Sequence, residues 1–177
     1  MHKLVIKKIR MVFRAAVARV RASLNGSRIS LSAKLYLYPG ATLRVGRGVK
    51  VMYGCVLSVL PDATLELGDH SALNPGTFVY CADSIKIGTG ARVAHYCSIL
   101  DHDYAISSSG ASFEEGKISS PVVIGKNVWL GAHVMVMKGV SIGDGAVIGA
   151  QSMVRRSVPD NTLAYCASNS QLTLKEL

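Results

Sequence analysis

Apolar positions along this chain recur every six residues. From Ile124 the series runs Ile124, Leu130, Val136, Ile142, Ile148, Val154, with Gly125, Gly131, Gly143 and Gly149 directly after four of them. Upstream the beat appears in broken form as Val45–Val51–Leu57, Leu67–Leu73–Val79 and Ile87–Val93–Ile99. Four residues after most of these aliphatics stands a small or branched residue: Val49, Cys55, Ser71, Thr77, Ala91, Cys97, Val128, Val134, Val140, Ala146 and Ser152. A period of six fits neither the roughly 3.6 of an α-helix nor the 2 of a simple strand. It predicts a coil of three short flat faces, each turning one aliphatic inward, which is an all-β parallel β-helix built on hexapeptides.

The breaks in the beat carry further information. Leu57 to Leu67 is ten residues and Val79 to Ile87 is eight, which reads as turns lengthened at a corner. The large gap lies between Ile99 and Ile124 and holds Asp101, His102, Asp103, Tyr104, a Ser-rich run and Phe113-Glu114-Glu115-Gly116. The coils on either side stay in phase. The gap therefore predicts one ordinary turn and face with a loop, residues 100–121, extruded from it. A long loop on a regular scaffold is a preferred place for function.

A length of 177 residues suits one domain with one sizeable core. Three Phe and one Trp suit a narrow interior filled by Val, Ile, Leu and Ala. Coils of a solenoid bury their faces on one another, so the ends need caps. The expected division is a basic helix over 1–28, the β-helix over 29–159 and a tail or cap over 160–177. The four cysteines, Cys55, Cys81, Cys97 and Cys166, form no CxxC pair, and Cys55 and Cys97 occupy the small-residue slot. A reduced, cytoplasmic setting is expected.

Charge singles out the N-terminal segment. The formal net charge is +9, and residues 1–28 carry Lys3, Lys7, Lys8, Arg10, Arg14, Arg19, Arg21 and Arg28 with no acidic residue. On a helical projection Lys3, Lys7, Arg10, Arg14 and Arg21 share a narrow arc, with Val5, Ile9, Val12, Phe13, Ala16, Val20 and Leu24 beside it; Asn25-Gly26 reads as the stop. Such a helix suits peripheral contact with the inner face of an anionic membrane, or a cap on the solenoid or a neighbouring subunit. Charges interrupt every apolar run before about 18 residues, against a membrane span, and no secretory leader is apparent. Nucleic acid is not an expected partner, because no aromatic residues are interleaved with the bases along a strand-like surface.

From about Leu43 to Pro159 the chain resembles the left-handed β-helix acyltransferases of the hexapeptide-repeat family, particularly the O-acetyltransferases of galactosides, maltose and exopolysaccharides. The resemblance rests on Pro121-Val-Val-Ile-Gly-Lys-Asn-Val-Trp-Leu-Gly-Ala-His133 and on Gly139-Val-Ser-Ile-Gly-Asp-Gly-Ala-Val-Ile-Gly-Ala150, followed by Ser152 to Pro159. It implies a left-handed helix, a homotrimer with sites at the subunit seams, and acetyl-CoA as co-substrate with no metal. The implied activity is transfer of acetyl to a sugar hydroxyl of a capsule, exopolysaccharide or O-antigen type saccharide.

Acetyl transfer to an alcohol needs a base near neutral pKa and a preset donor for the oxyanion. Of His2, His70, His95, His102 and His133, His102 stands at the root of the extruded loop, flanked by Asp101 and Asp103, where similar enzymes place their catalytic histidine. His95 reads as a surface residue and His70 and His133 as turn residues. The resemblance puts the Ala132 N–H near the thioester and Ala150, one coil of 18 residues later, near the pantetheine arm. It also offers Trp129 as a wall, and Arg155 with Arg156 for the coenzyme phosphates. Beyond Pro159 the family's usual Gly-, Pro- and Lys-containing stretch is replaced by Ala164-Tyr-Cys-Ala-Ser-Asn-Ser-Gln171. Asn74, Tyr80 and Tyr104 are candidates for the acceptor. The rivals are an amino-sugar-nucleotide N-acetyltransferase, a serine O-acetyltransferase, a carbonic anhydrase-like enzyme using His95 and His102 as ligands, and a non-catalytic scaffold.

Overall fold

The computed structural model describes residues 2–107, 110–166 and 172–176, with side chains over 11–105, 116–166 and 173–176. Three sheets, parallel apart from one last antiparallel strand, form the sides of a prism, of eight, six and five strands respectively, and one helix, His2–Leu24, lies across its end. The first face runs from Arg28–Ile29 to Val147–Ile148 and Thr162–Cys166. The second runs from Lys34–Leu37 to Met153–Val154, and the third from Thr42–Val45 to Ser141–Ile142. Along the repeat, Leu73 pairs with Val93, Val93 with Leu130 and Leu130 with Ile148 on the first face. All the small-slot residues from Val49 to Ser152 are buried, each filling the gap at a corner beside an inward aliphatic.

The early coils are wider than the late ones. Val51 to Leu73 is a 22-residue coil, Leu130 to Ile148 one of 18. The extra residues do not lengthen corners, as the spacing suggested. They mainly extend the faces: Val56–Val59 and Thr64–Leu67 are four-residue strands, and each turns two side chains inward, Leu57 with Val59 and Leu65 with Leu67. Strand alternation of period 2 is thus nested inside the coil repeat. The glycines after inward aliphatics mark where coils stack too closely for a side chain. A Cβ on Gly88 would lie 2.4 Å from the carbonyl oxygen of Gly125.

On the faces, N–H groups donate to the following coil, as Thr42 does to Ala63 and Lys50 to Ser71. The carbonyls of the first coil therefore face the helix end with no coil to receive from. Cations and amides there supply the donors. Arg14 donates to the Tyr38 carbonyl, Arg19 to Ala33 at 2.5 Å and Asn25 to Val45 at 2.9 Å. Ala15 and Ala22 are buried against the first coil, at 6% and 1% exposure, whereas Phe13 and Leu24 are 69% and 82% exposed. The helix is a cap, and it caps through alanines, which allow close approach. The side chains of Lys3, Val5, Lys7, Ile9 and Arg10 lie outside the described residues.

At the other end the coil continues past 159. Val158 bridges to Ile142, Ala164 pairs with Ile148, and Leu172–Glu176 returns antiparallel along Thr162–Cys166. Residues 167–171 lie outside the description. Between the second and third faces a β-hairpin projects, His102–Ser107 paired with Gly110–Ser119, its register shifted between Tyr104 and Ala105. The faces resume without loss of phase, Ile87 pairing with Ile124.

Candidate active site

Asp101 ends the second face of the fourth coil and is fully buried. Its oxygens accept the backbone N–H groups of Ala82 and Asp83, both at 2.8 Å, from the corner one coil earlier. The Nδ1 of His102 lies 3.1 Å from the same carboxylate. A carboxylate offers only acceptors, so in the neutral ring Nδ1 carries the proton and Nε2 the lone pair. His102 is buried to 6% exposure and meets the Tyr80 ring edge-to-face, with centroids 4.5 Å apart. Tyr80 is held in turn by Lys117 of the hairpin, which donates to its hydroxyl at 2.9 Å and stands 4.3 Å above its ring. Lys117 also lies 5.8 Å from the Tyr104 ring, across the hairpin. Burial, reinforced by the Asp101 charge, pushes the nearby Cys81 thiol up to about 12, leaving it protonated and inert at neutral pH.

The two aspartates beside His102 are not equivalent. Asp101 orients the imidazole, whereas Asp103 turns to Lys138, with 3.6 Å between carboxylate and ammonium. Lys117 and Lys138 had no mark in the sequence. Each becomes visible only through the hairpin's register and its lean over the following coil.

The remaining candidates divide between two corners of the prism. His102, Lys138, Arg155 and Arg156 lie where the second face turns into the third, and both arginines are exposed. Asn74, Ala132 and Ala150 lie where the first face turns into the second, with Trp129, 56% exposed, on the strand leading there. Asn74 spends its amide on the Val93 carbonyl at 2.9 Å, stitching two coils together. The backbone N–H groups of Ala132 and Ala150 have no acceptor among the described residues, although N–H groups at the third-to-first corner are capped, Lys126 by Asp144 at 2.6 Å. His133 stacks on Tyr96 with centroids 5.3 Å apart and lies 5.6 Å from His95. His95 thus pairs with His133, not with His102, across the full width of the second face. Among the described residues no group of three or more His, Cys, Asp or Glu is placed to hold a metal ion.

His95, the counterpart of Ala132 in its coil, lies in the turn before the second face and His102 just after it, so the full face, on the order of 15 Å, separates them. A histidine base and the Ala132 N–H of one chain therefore cannot serve one reacting centre. The second face lies between them.

Residues 121–156 match a family profile described as bacterial transferase hexapeptide, six repeats. The chain is 29% identical over 136 residues to WbbJ of Escherichia coli, named as an O-acetyl transferase of lipopolysaccharide biosynthesis, covering 72% of this chain and 69% of that one. It is 29% identical over 139 residues to the galactoside O-acetyltransferase of Escherichia coli, covering 78% and 57%. A protein of Mycobacterium tuberculosis named as an acetyltransferase is 31% identical over 128 residues, 72% of this chain but 42% of that one. Two of these three relatives thus extend well beyond the stretch they share with the chain. Among solved structures, a variant of the N-acyltransferase AntD from Bacillus cereus, in complex with dTDP-4-amino-4,6-dideoxyglucose and coenzyme A, superposes with a TM-score of 0.71 at 21% identity, covering 85% of this chain and 80% of that one. A variant of GDP-perosamine N-acetyl transferase from Caulobacter crescentus gives 0.59 at 24% identity, covering 85% and 57%. With its six-residue stride realised as three in-register faces, the chain is built as a hexapeptide-repeat β-solenoid, and over residues 121–156 it matches the hexapeptide profile of bacterial transferases.

Proposed function

We propose that the protein is an acetyl-CoA-dependent O-acetyltransferase acting on a sugar hydroxyl of a capsule, exopolysaccharide or O-antigen type saccharide. The observation that carries this reading is the Asp101–His102 pair. A fully buried carboxylate fixes the imidazole as the tautomer whose Nε2 can take a proton. His102 removes the acceptor's hydroxyl proton as its oxygen attacks the thioester carbonyl. It then returns that proton to the departing thiolate as the carbon–sulfur bond breaks. Coenzyme A supplies the activated acyl group and a good leaving group.

The residues present fit the coenzyme. Ala132 and Ala150 offer two uncommitted N–H groups one coil apart, about 4.8 Å, behind side chains small enough for close approach. Ala132 would receive the charge developing on the thioester oxygen. Arg155 and Arg156 follow Ala150 across the second face of the last coil, at a reach of about 15 Å, suited to the phosphate end of an extended coenzyme. Because His102 and these alanines occupy opposite corners, the reading requires two copies at each site, as a homotrimer with sites at the seams provides. Tyr80 and Tyr104 wall the acceptor side, and Asn74 of the neighbouring copy is a further acceptor candidate. The same reading includes a cytoplasmic setting and peripheral contact of residues 1–28 with the inner face of a membrane. No described helix is long and apolar enough to cross one.

Thiol release from acetyl-CoA in the presence of candidate glycans tests the proposal. The wild-type protein should release thiol and add one acetyl to a glycan, removable by mild alkali. His102→Ala should lose about 10²- to 10⁴-fold in rate; unchanged turnover would sink the assignment. An alkali-stable product would support the second reading, N-acetylation of an amino sugar, the acceptor class named for the two solved neighbours.

A further inference from the structure

The outward side of the N-terminal helix has no role in the site above. The alanine arc of Ala15 and Ala22 is buried in the cap, while Val12, Phe13, Val20 and Leu24 on the other side are 67%, 69%, 59% and 82% exposed. At about 100° per residue these four and Ala16 share an arc of about 120° that points away from the alanines. Arg14 and Arg21 border one edge of this arc and Arg19 the other. None of the three is paired with a carboxylate among the described residues, and no acid is available nearby in sequence: the first acidic residue of the chain is Asp62. By that point 12 of the 20 Lys and Arg residues and none of the 11 Asp and Glu have passed, so the cap and the first coil carry cations alone, of which Arg44 and Arg47 are paired with Glu66 and Asp69 of the second coil.

The apolar surface continues past Phe13 into a groove of about 470 Å³ between the helix and the first strand of the third face, floored by Leu37, Leu43 and Val45 with Arg14 and Arg21 among its lining residues. A nucleic acid would leave Phe13 and Leu24 in water. A second copy would bring like charge against like. Arg14 and Arg19 turn into the cap, which leaves the exposed Arg21 beside the apolar arc; this arc with a cation at its edge matches an anionic lipid surface, where acyl chains meet the arc and headgroup phosphates meet the Arg21 guanidinium.

We propose that the protein docks end-on to an anionic bilayer through this arc, so that the solenoid axis stands away from the membrane. His102 lies on the fourth coil, three coil steps or about 15 Å above the first. Resting on the acetyl-transfer reading for this point alone, the acceptor is a saccharide carried on a lipid, long enough to reach that height.

Flotation of the full chain with phosphatidylcholine vesicles, with and without phosphatidylglycerol, decides the docking. Binding should require phosphatidylglycerol. It should weaken about tenfold in high salt and in Phe13→Ser/Val20→Ser, whose side chains make no part of the cap, and about fivefold in Arg21→Gln. Equal binding to neutral vesicles, no binding at all, or serine variants that bind like wild type would overturn it. So would an assembly of twice the size that the serine variant splits. Acetylation of a vesicle-borne lipid-linked glycan should fall in the serine variant while a soluble glycan is acetylated as before; equal loss on both overturns the lipid-linked acceptor. Vesicle binding without any turnover of acetyl-CoA would leave the docking standing and remove the acetyl-transfer reading alone.

Discussion

Asp101 has both carboxylate oxygens committed, to two backbone amides and an imidazole, and under the proposed function this rigidity orients His102 as the base. Asp101→Asn would place an N–H₂ group against at least one of those donors. The expected result is a loss of about 1–3 kcal/mol in stability, measured by denaturant unfolding, from the unmet buried donor. Turnover should fall more steeply than stability, because the imidazole loses its fixed tautomer. Full activity in this variant would remove Asp101 from the mechanism. The pair itself was legible in the sequence, since Asp101 and His102 stand where the six-residue beat breaks. The difference between Asp101 and Asp103 was not. Both adjoin His102 along the chain, and only coil stacking shows that Asp101 faces the amides of Ala82 and Asp83 while Asp103 meets Lys138.

At the scale of elements, the helix shows where pattern reading stops. Amphipathicity located it near His2–Leu24, but left open which side packs on the solenoid. The open end of the coil presents carbonyls, so the packing side needs close approach and donors, which Ala15, Ala22, Arg14 and Arg19 provide. Ala22→Leu should therefore overpack the cap and cost about 1–3 kcal/mol, whereas Val20→Leu, adding the same kind of bulk on the outward side, should be nearly neutral in a thermal melt. Equal effects would mean that the helix packs by another face. The early faces were misread for a related reason. Leu57 with Val59 and Leu65 with Leu67 add a second inward position per face, which breaks a strict count of six without adding a corner. From Leu130 to Val154, where each strand turns one aliphatic inward, the beat of six matches the buried positions residue by residue.

For the whole molecule, the prism separates what the chemistry must bring together. His102 belongs to one corner, Ala132 and Ala150 to another, on the order of 15 Å away across the second face. No spacing in a sequence reports which corner of one copy faces which corner of the next, so the sequence could name candidate residues but not their placement at separate corners of the prism. Two inactive variants decide the matter. His102→Ala removes the base, and Ala150→Glu fills the coenzyme cradle at an exposed position. If each site takes its histidine from one copy and its cradle from the neighbour, an equal mixture assembled at random restores an intact pairing once in four, so turnover should recover to about a quarter of wild type. A mixture no more active than either variant alone would contradict a site shared between copies.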